Sequence, residues 1–143
     1  MGIFPTKVLL ATHGSREARL AATTAADLAD STDSKLRVVH VAEFRPTFLA
    51  QTESEPAELE REARRRLDEE VRRVEEVHLR SGKADEEIVE LADSLGIGLV
   101  VMGSRGRGRI RRALMGSVSG SVVRHAHCPV TIVREQAQRP RTP

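Results

Sequence analysis

Gly103, Gly106, Gly116 and Ser117 have the types and spacing to do chemistry. They lie in Gly103-Ser-Arg-Gly-Arg-Gly-Arg-Ile-Arg-Arg-Ala-Leu-Met-Gly-Ser-Val-Ser119, directly after the apolar run Leu99-Val100-Val101-Met102. Glycine lets backbone N–H groups approach an anion with no Cβ in the way. Gly103 and Gly106 bracket a tight turn, and Gly116 and Ser117 open a helix whose first amides and dipole favour negative charge. Ser117 and Ser119 add hydroxyl donors. Turn formation and helix capping alone would account for one such glycine pair. Two glycine sites flanking one strand end favour a polyphosphate held between loop and helix.

Other phosphate signatures fit poorly. No Gly-Lys-Ser/Thr closes a P-loop, and Arg111 stands where the third glycine after Gly106 and Gly108 would complete a dinucleotide fingerprint. Arg105, Arg107, Arg109, Arg111 and Arg112 either solvate this loop or neutralise a triphosphate. Nucleic acid is disfavoured as a partner. Lys and Arg number 23 against 21 acids, so the net charge is only +2, and 2% aromatics leave no platform on which bases could stack.

The elements that must hold this stretch follow from periodicity. Lys7–Thr12 reads as a buried strand, broken by His13-Gly14-Ser15, with Ser15 as a helix N-cap. Residues 16–30 are alanine-rich, with Leu20, Thr24 and Leu28 four apart, which makes a helix with a small-residue face suited to a sheet. Lys35–Ala42 is a second strand, and residues 43–56 a loop or flap. From Ala57 to Glu76 the stripe Leu59, Ala63, Leu67, Val71 and Val74 predicts a helix, and 77–80 a short third strand. Ile88, Leu91, Ala92 and Leu95 mark another helix, capped by Gly96. A fourth strand over 99–102, a helix over 117–126 and a fifth strand, Val130–Val133, complete the chain. Alternating strands and helices predict βαβ units, a largely parallel sheet and ligands beyond the strands' carboxyl ends.

The 143 residues are expected to form one domain, with residues 1–5 and 135–143 as flexible ends. Cys128 is the one cysteine, so no intramolecular disulfide can form, which suits the reducing cytoplasm, and it reads as a buried, inert thiol. Met1-Gly-Ile-Phe-Pro5 is too short and broken for a signal peptide, and no apolar run reaches transmembrane length. His125 and His127 lack a fixed two-ligand geometry, and His40 and His78 read as strand residues near the sheet surface.

The chain resembles the universal stress proteins. Gly103, Gly106, Gly116 and Ser117 match the Gly-x2-Gly-x9-Gly-Ser/Thr signature of the family's ATP-binding branch. The flanks Val100-Val-Met-Gly-Ser-Arg-Gly106, Gly116-Ser-Val-Ser and Cys128-Pro-Val130 also match, as does the opening Val8-Leu-Leu-Ala-Thr with Gly14-Ser15. The resemblance covers residues 5–134. It implies an α/β, Rossmann-like single domain, a five-stranded parallel sheet in order 3-2-1-4-5 with helices on both faces. It implies adenine and ribose near Ala11, Thr12, Val41 and Met102. Phosphates, with Mg2+ or Mn2+, would lie against Gly103, Gly106, Gly116, Ser117, Val118 and Ser119, with Arg105 close by. It also implies a homodimer through Val130–Val133 and a stress-response role based on ATP or AMP, without a defined reaction beyond a slow ATPase.

Three positions depart from the family pattern. His13 replaces the usual Asp after the first strand, which exchanges an acid for a group that can contact phosphate directly. Gly98 replaces an Asp before the fourth strand, a change expected to touch only the turn. Glu76 meets Val77 with no turn residues between helix and strand. His13 also keeps open the alternative of a family member that binds no nucleotide and serves as a protein-interaction module.

Overall fold

A computed structural model describes residues 2–12, 16–42, 74–104 and 116–134. The strands are β1 (Lys7–Thr12), β2 (Lys35–Ala42), β3 (Val74–Ser81), β4 (Leu99–Gly103) and β5 (Val130–Val133). The helices are α1 (Arg16–Thr32), α2 (Ala84–Leu95) and α3 (Ser117–His125). All strand pairs are parallel, in the order β3-β2-β1-β4-β5. The expected Rossmann-like sheet is therefore present.

Central strands of a parallel sheet are covered on both faces, so they carry continuous apolar runs. Val8, Leu9 and Leu10 are fully buried in β1, as are Val100, Val101 and Met102 in β4. Alternation along the strands divides this core in two. Val8, Leu10, Leu36, Val38, Leu99 and Val101 pack under α1, while Leu9, Ala11, Val39, Val41, Val100 and Met102 pack under α2 and α3.

α1 buries Ala21, Ala22, Ala25 and Ala29, and leaves Leu20 42% exposed. The small-residue face is present, but it lies one position round from the leucine stripe read in the sequence. Alanine lets the helix backbone lie close to the sheet, so the leucines are displaced towards its flank.

The third strand corrects the sequence reading. β3 begins at Val74, which pairs with Leu36, and the register shifts before Arg37 meets Glu76. Val74–Glu76 are thus strand and not the end of a helix. Val74 and Val77 pack on the α1-side core, and Arg37 answers Glu76 at 2.8 Å. Pairing with β2 overrides the helical spacing that Val74 shares with Val71. The remainder of the helix expected from Ala57, and the loop over 43–56, lie outside the described residues.

α2 ends at Gly96, whose φ of 65° is left-handed, and the Gly96 and Ile97 amides close back onto the last turn. Lys7 Nζ donates to the Leu95 carbonyl at 3.0 Å, a cation at the negative end of the helix. Gly98 is more than a change of turn. A Cβ there would collide with the Thr6 side chain, including Thr6 Cβ at 2.9 Å.

Candidate functional site

The carboxyl ends of β1, β2 and β4 bring three of the four expected base-binding residues, Ala11, Val41 and Met102, together on one sheet face. Ala11 pairs in register with Met102 and also with Val39, two residues before Val41. Ala11 and Val41 are each 3% exposed and Met102 is fully buried. They form an apolar floor without a charged side chain at the strand ends. Thr12 ends β1 on the opposite face. There its hydroxyl lies 3.2 Å from His40 Nδ1 and 3.5 Å from the Val39 carbonyl. Its side chain is engaged with β2, leaving its backbone as the part nearest the floor.

Gly103 closes β4, and α3 begins only one hydrogen bond away. The Gly116 amide donates to the Ser104 carbonyl at 2.5 Å, joining the strand end to the helix start. Gly116 is the N-cap residue, with φ −67° and ψ 165°, and no side chain caps α3. The first bond within the helix runs from the Gly120 amide to the Gly116 carbonyl at 2.9 Å. The amides of Ser117, Val118 and Ser119 therefore precede the helix's own hydrogen-bond ladder. They form a donor cluster at the positive end of the helix dipole. No acid lies in this first turn, and Arg124 and His125 lie in the last.

The side chains of this turn differ in what they can offer. Ser117 is exposed, whereas Ser119 is 2% exposed and donates to the Ser104 carbonyl at 2.9 Å. Val118 and the fully buried Val122 hold α3 on the core beside α2. His13, Arg105 and Gly106 lie outside the described residues.

Three features were not assigned a role in the sequence reading. Ser104 is 2% exposed and joins β4, β5 and α3 through its backbone. Ser121 Oγ donates to Asp85 Oδ2 at 2.7 Å, tying α3 to the first turn of α2, and this bond holds the Asp85 carboxyl below the usual carboxylate range. His40 faces Thr12 across the β1–β2 pair. Only the position of Ser104 inside the glycine stretch was visible beforehand.

The remaining histidines serve structure. His127 Nδ1 sits 3.0 Å from Asp93, and His125 Nδ1 lies 2.9 Å from the Ser121 carbonyl. His78 is mostly buried on β3, where burial pushes its imidazole below the ordinary value, although Glu76 opposes the shift. Cys128 is half-buried and not fully enclosed, and desolvation pushes its thiol up. Among the described residues no group of three or more His, Cys, Asp or Glu is placed to hold a metal ion, and no described helix is long and apolar enough to cross a membrane. The donors at the α3 start are amides and a hydroxyl, which suit phosphate oxygens, so a divalent ion there would be held chiefly by phosphate.

Comparison with known proteins agrees with this geometry. The family description that matches is the Universal stress protein family, over residues 5–134. A universal stress protein of Thermus aquaticus is 37% identical over 138 residues, covering 89% of this chain and 97% of its own. One of Methanocaldococcus jannaschii is 30% identical, covering 90% and 82%. Among solved structures, UspA from Lactobacillus plantarum superposes with a TM-score of 0.74 at 23% identity, covering 90% of this chain and 97% of its own. A universal stress protein solved in complex with cAMP gives 0.65 at 28% identity, covering 90% and 95%. One from Archaeoglobus fulgidus in complex with dAMP gives 0.62 at 23%, covering 92% and 99%.

Proposed function

The chain belongs to the universal stress protein family, and we propose that within it this protein is a cytoplasmic regulator that binds an adenine nucleotide, ATP or AMP, between the β4 end and the α3 start. The observation that carries this reading is the complete Gly103, Gly106, Gly116, Ser117 spacing, with Gly116 one hydrogen bond from the residue after Gly103. The Gly116 backbone is ordinary extended chain that any residue adopts, so its conformation does not call for glycine. A site that must let phosphate approach the backbone does. The family member solved with cAMP supports an adenine ligand.

The base rests on Ala11, Val41 and Met102, with the Thr12 backbone beside it. Phosphates meet the amides of Ser117, Val118 and Ser119 and the Ser117 hydroxyl, and Arg105, Gly106 and His13 are assigned to the same ligand from the sequence. Mg2+ or Mn2+ accompanies the phosphates. No pair of titrating groups is assigned to acid–base work, so the role is binding, with at most slow ATP hydrolysis.

A homodimer forms through β5. The Val130-Thr-Ile-Val133 edge is half-buried and uncharged, whereas the other edge, β3, carries Glu75, Glu76 and Arg80. Charged edges resist pairing and uncharged ones invite it.

Calorimetric titration of ATP into nucleotide-stripped protein, with and without magnesium, tests the binding. Saturable heat that disappears in Gly116→Val is expected. A folded protein that gives no heat in either condition refutes the reading and favours the interaction module that His13 keeps open.

A further inference from the structure

Resting on that nucleotide reading, we propose that Ser119 is a positioning residue whose hydroxyl pins the start of α3 to the Ser104 carbonyl and does not itself touch phosphate. Three hydrogen bonds and one further close contact converge on this point. The Ser104 amide donates to the Val133 carbonyl at 3.0 Å, fixing the peptide against the end of β5. The Ser104 carbonyl accepts from the Gly116 amide at 2.5 Å and from Ser119 Oγ at 2.9 Å. Ser119 Oγ also lies 3.2 Å from the Gly116 carbonyl.

A carbonyl has two lone pairs, and both are engaged here. A serine hydroxyl has a single hydrogen, and that of Ser119 is committed to Ser104. Turning it towards a ligand would strip a partner from a carbonyl whose residue is 2% exposed. The Gly116 amide is committed in the same way. The donors left for an anion are therefore the Ser117, Val118 and Ser119 amides and the Ser117 hydroxyl. Ser119 sets where those donors stand relative to Gly103, because it locks the first turn of α3 to the residue that follows β4.

The test compares wild type, Ser119→Ala and Ser119→Thr by two readouts. One is amide hydrogen exchange at Gly116 in nucleotide-free protein, and the other is calorimetric ATP affinity in magnesium. In Ser119→Ala the Gly116 amide is expected to exchange about tenfold faster and ATP to bind about tenfold more weakly. This is the scale of one buried hydrogen bond. Ser119→Thr keeps the hydroxyl and restores both to within about twofold of wild type. Weaker ATP binding with unchanged Gly116 exchange overturns the proposal, because the hydroxyl would then be a ligand. Faster exchange with unchanged affinity also overturns it, since the pin would not govern the site. A wild-type chain that binds no ATP refutes the nucleotide reading, and with it any role of the pin in binding. The exchange rates still decide separately whether Ser119 holds the helix start.

Discussion

Adding one methyl group at Gly98 should destabilise the fold through its clash with one residue, Thr6. An ideal Cβ at Gly98 would stand 2.9 Å from Thr6 Cβ and 3.0 Å from Thr6 Cγ2, with Thr6 Oγ1 closer still. Rotating the Thr6 side chain cannot clear it, because Cβ stays in place whatever χ1 does. The backbone cannot easily yield. The Thr6 amide donates to Ser34 Oγ at 3.0 Å, its carbonyl accepts from the Lys35 amide at 3.0 Å, and the Gly98 amide donates to the Lys7 carbonyl at 3.0 Å. Overpacking of this kind costs about 1–3 kcal/mol. For a chain of 143 residues that is roughly a 3–12 °C fall in Tm. Urea unfolding of Gly98→Ala at fixed protein concentration should show the loss as a lower midpoint with an unchanged slope. Thr6→Gly removes all three contacting atoms, so the double variant should recover about 1–2 kcal/mol relative to the sum of the singles. A Gly98→Ala protein within about 0.3 kcal/mol of wild type, or additive effects of the two changes, would refute the steric reasoning.

His78 is held below its ordinary pKa chiefly by burial, so below about pH 6.5 the unfolded chain takes a proton that the folded chain refuses. Stability should therefore fall as pH drops through that range, and His78→Gln should flatten this part of the urea-midpoint profile against pH. Asp85→Ala removes the acceptor of the Ser121 hydroxyl between α2 and α3, and should lower unfolding free energy by about 1–2 kcal/mol with Ser121→Ala not additive. Additive losses in that cycle would show that the bond contributes nothing. His13→Asp should tighten ATP binding in magnesium by about tenfold and not in EDTA, since a carboxylate is a ligand for a hard divalent ion and an imidazole is a poor one. Calorimetry showing unchanged affinity and unchanged metal dependence would remove His13 from the site.

Legibility followed the reach of the signal. β2 and β5 were readable to the residue because apolar runs ended by turn residues are local. Gly96 likewise marked the end of α2. The start of β3 was not readable. Val74 continues a helical stripe, and only its pairing with Leu36 makes it a strand. The small-residue face of α1 was readable from its alanines, and which of them turn to the sheet was decided by close approach of the helix backbone. At the candidate site, strand register puts Ala11, Met102 and Val41 on one face and turns the Thr12 side chain to the other, a split that follows from alternation along paired strands. The commitment of the Ser119 hydroxyl to Ser104 had no sequence signal, because any serine in a first helical turn looks like a phosphate donor.

By itself, the sequence determined the alternation of strands and helices, the glycine spacing and the lack of an intramolecular disulfide. Each depends on residue types and near neighbours along the chain. Tertiary structure alone decided which side chains meet. Ser119 reaches Ser104 across 15 residues, Thr12 reaches His40 across 28 and Ser121 reaches Asp85 across 36. Those contacts exist because the strand order places β1 between β2 and β4, with α2 and α3 side by side on one face. Periodicity records how each element buries its own apolar side, and carries no record of what that side will face.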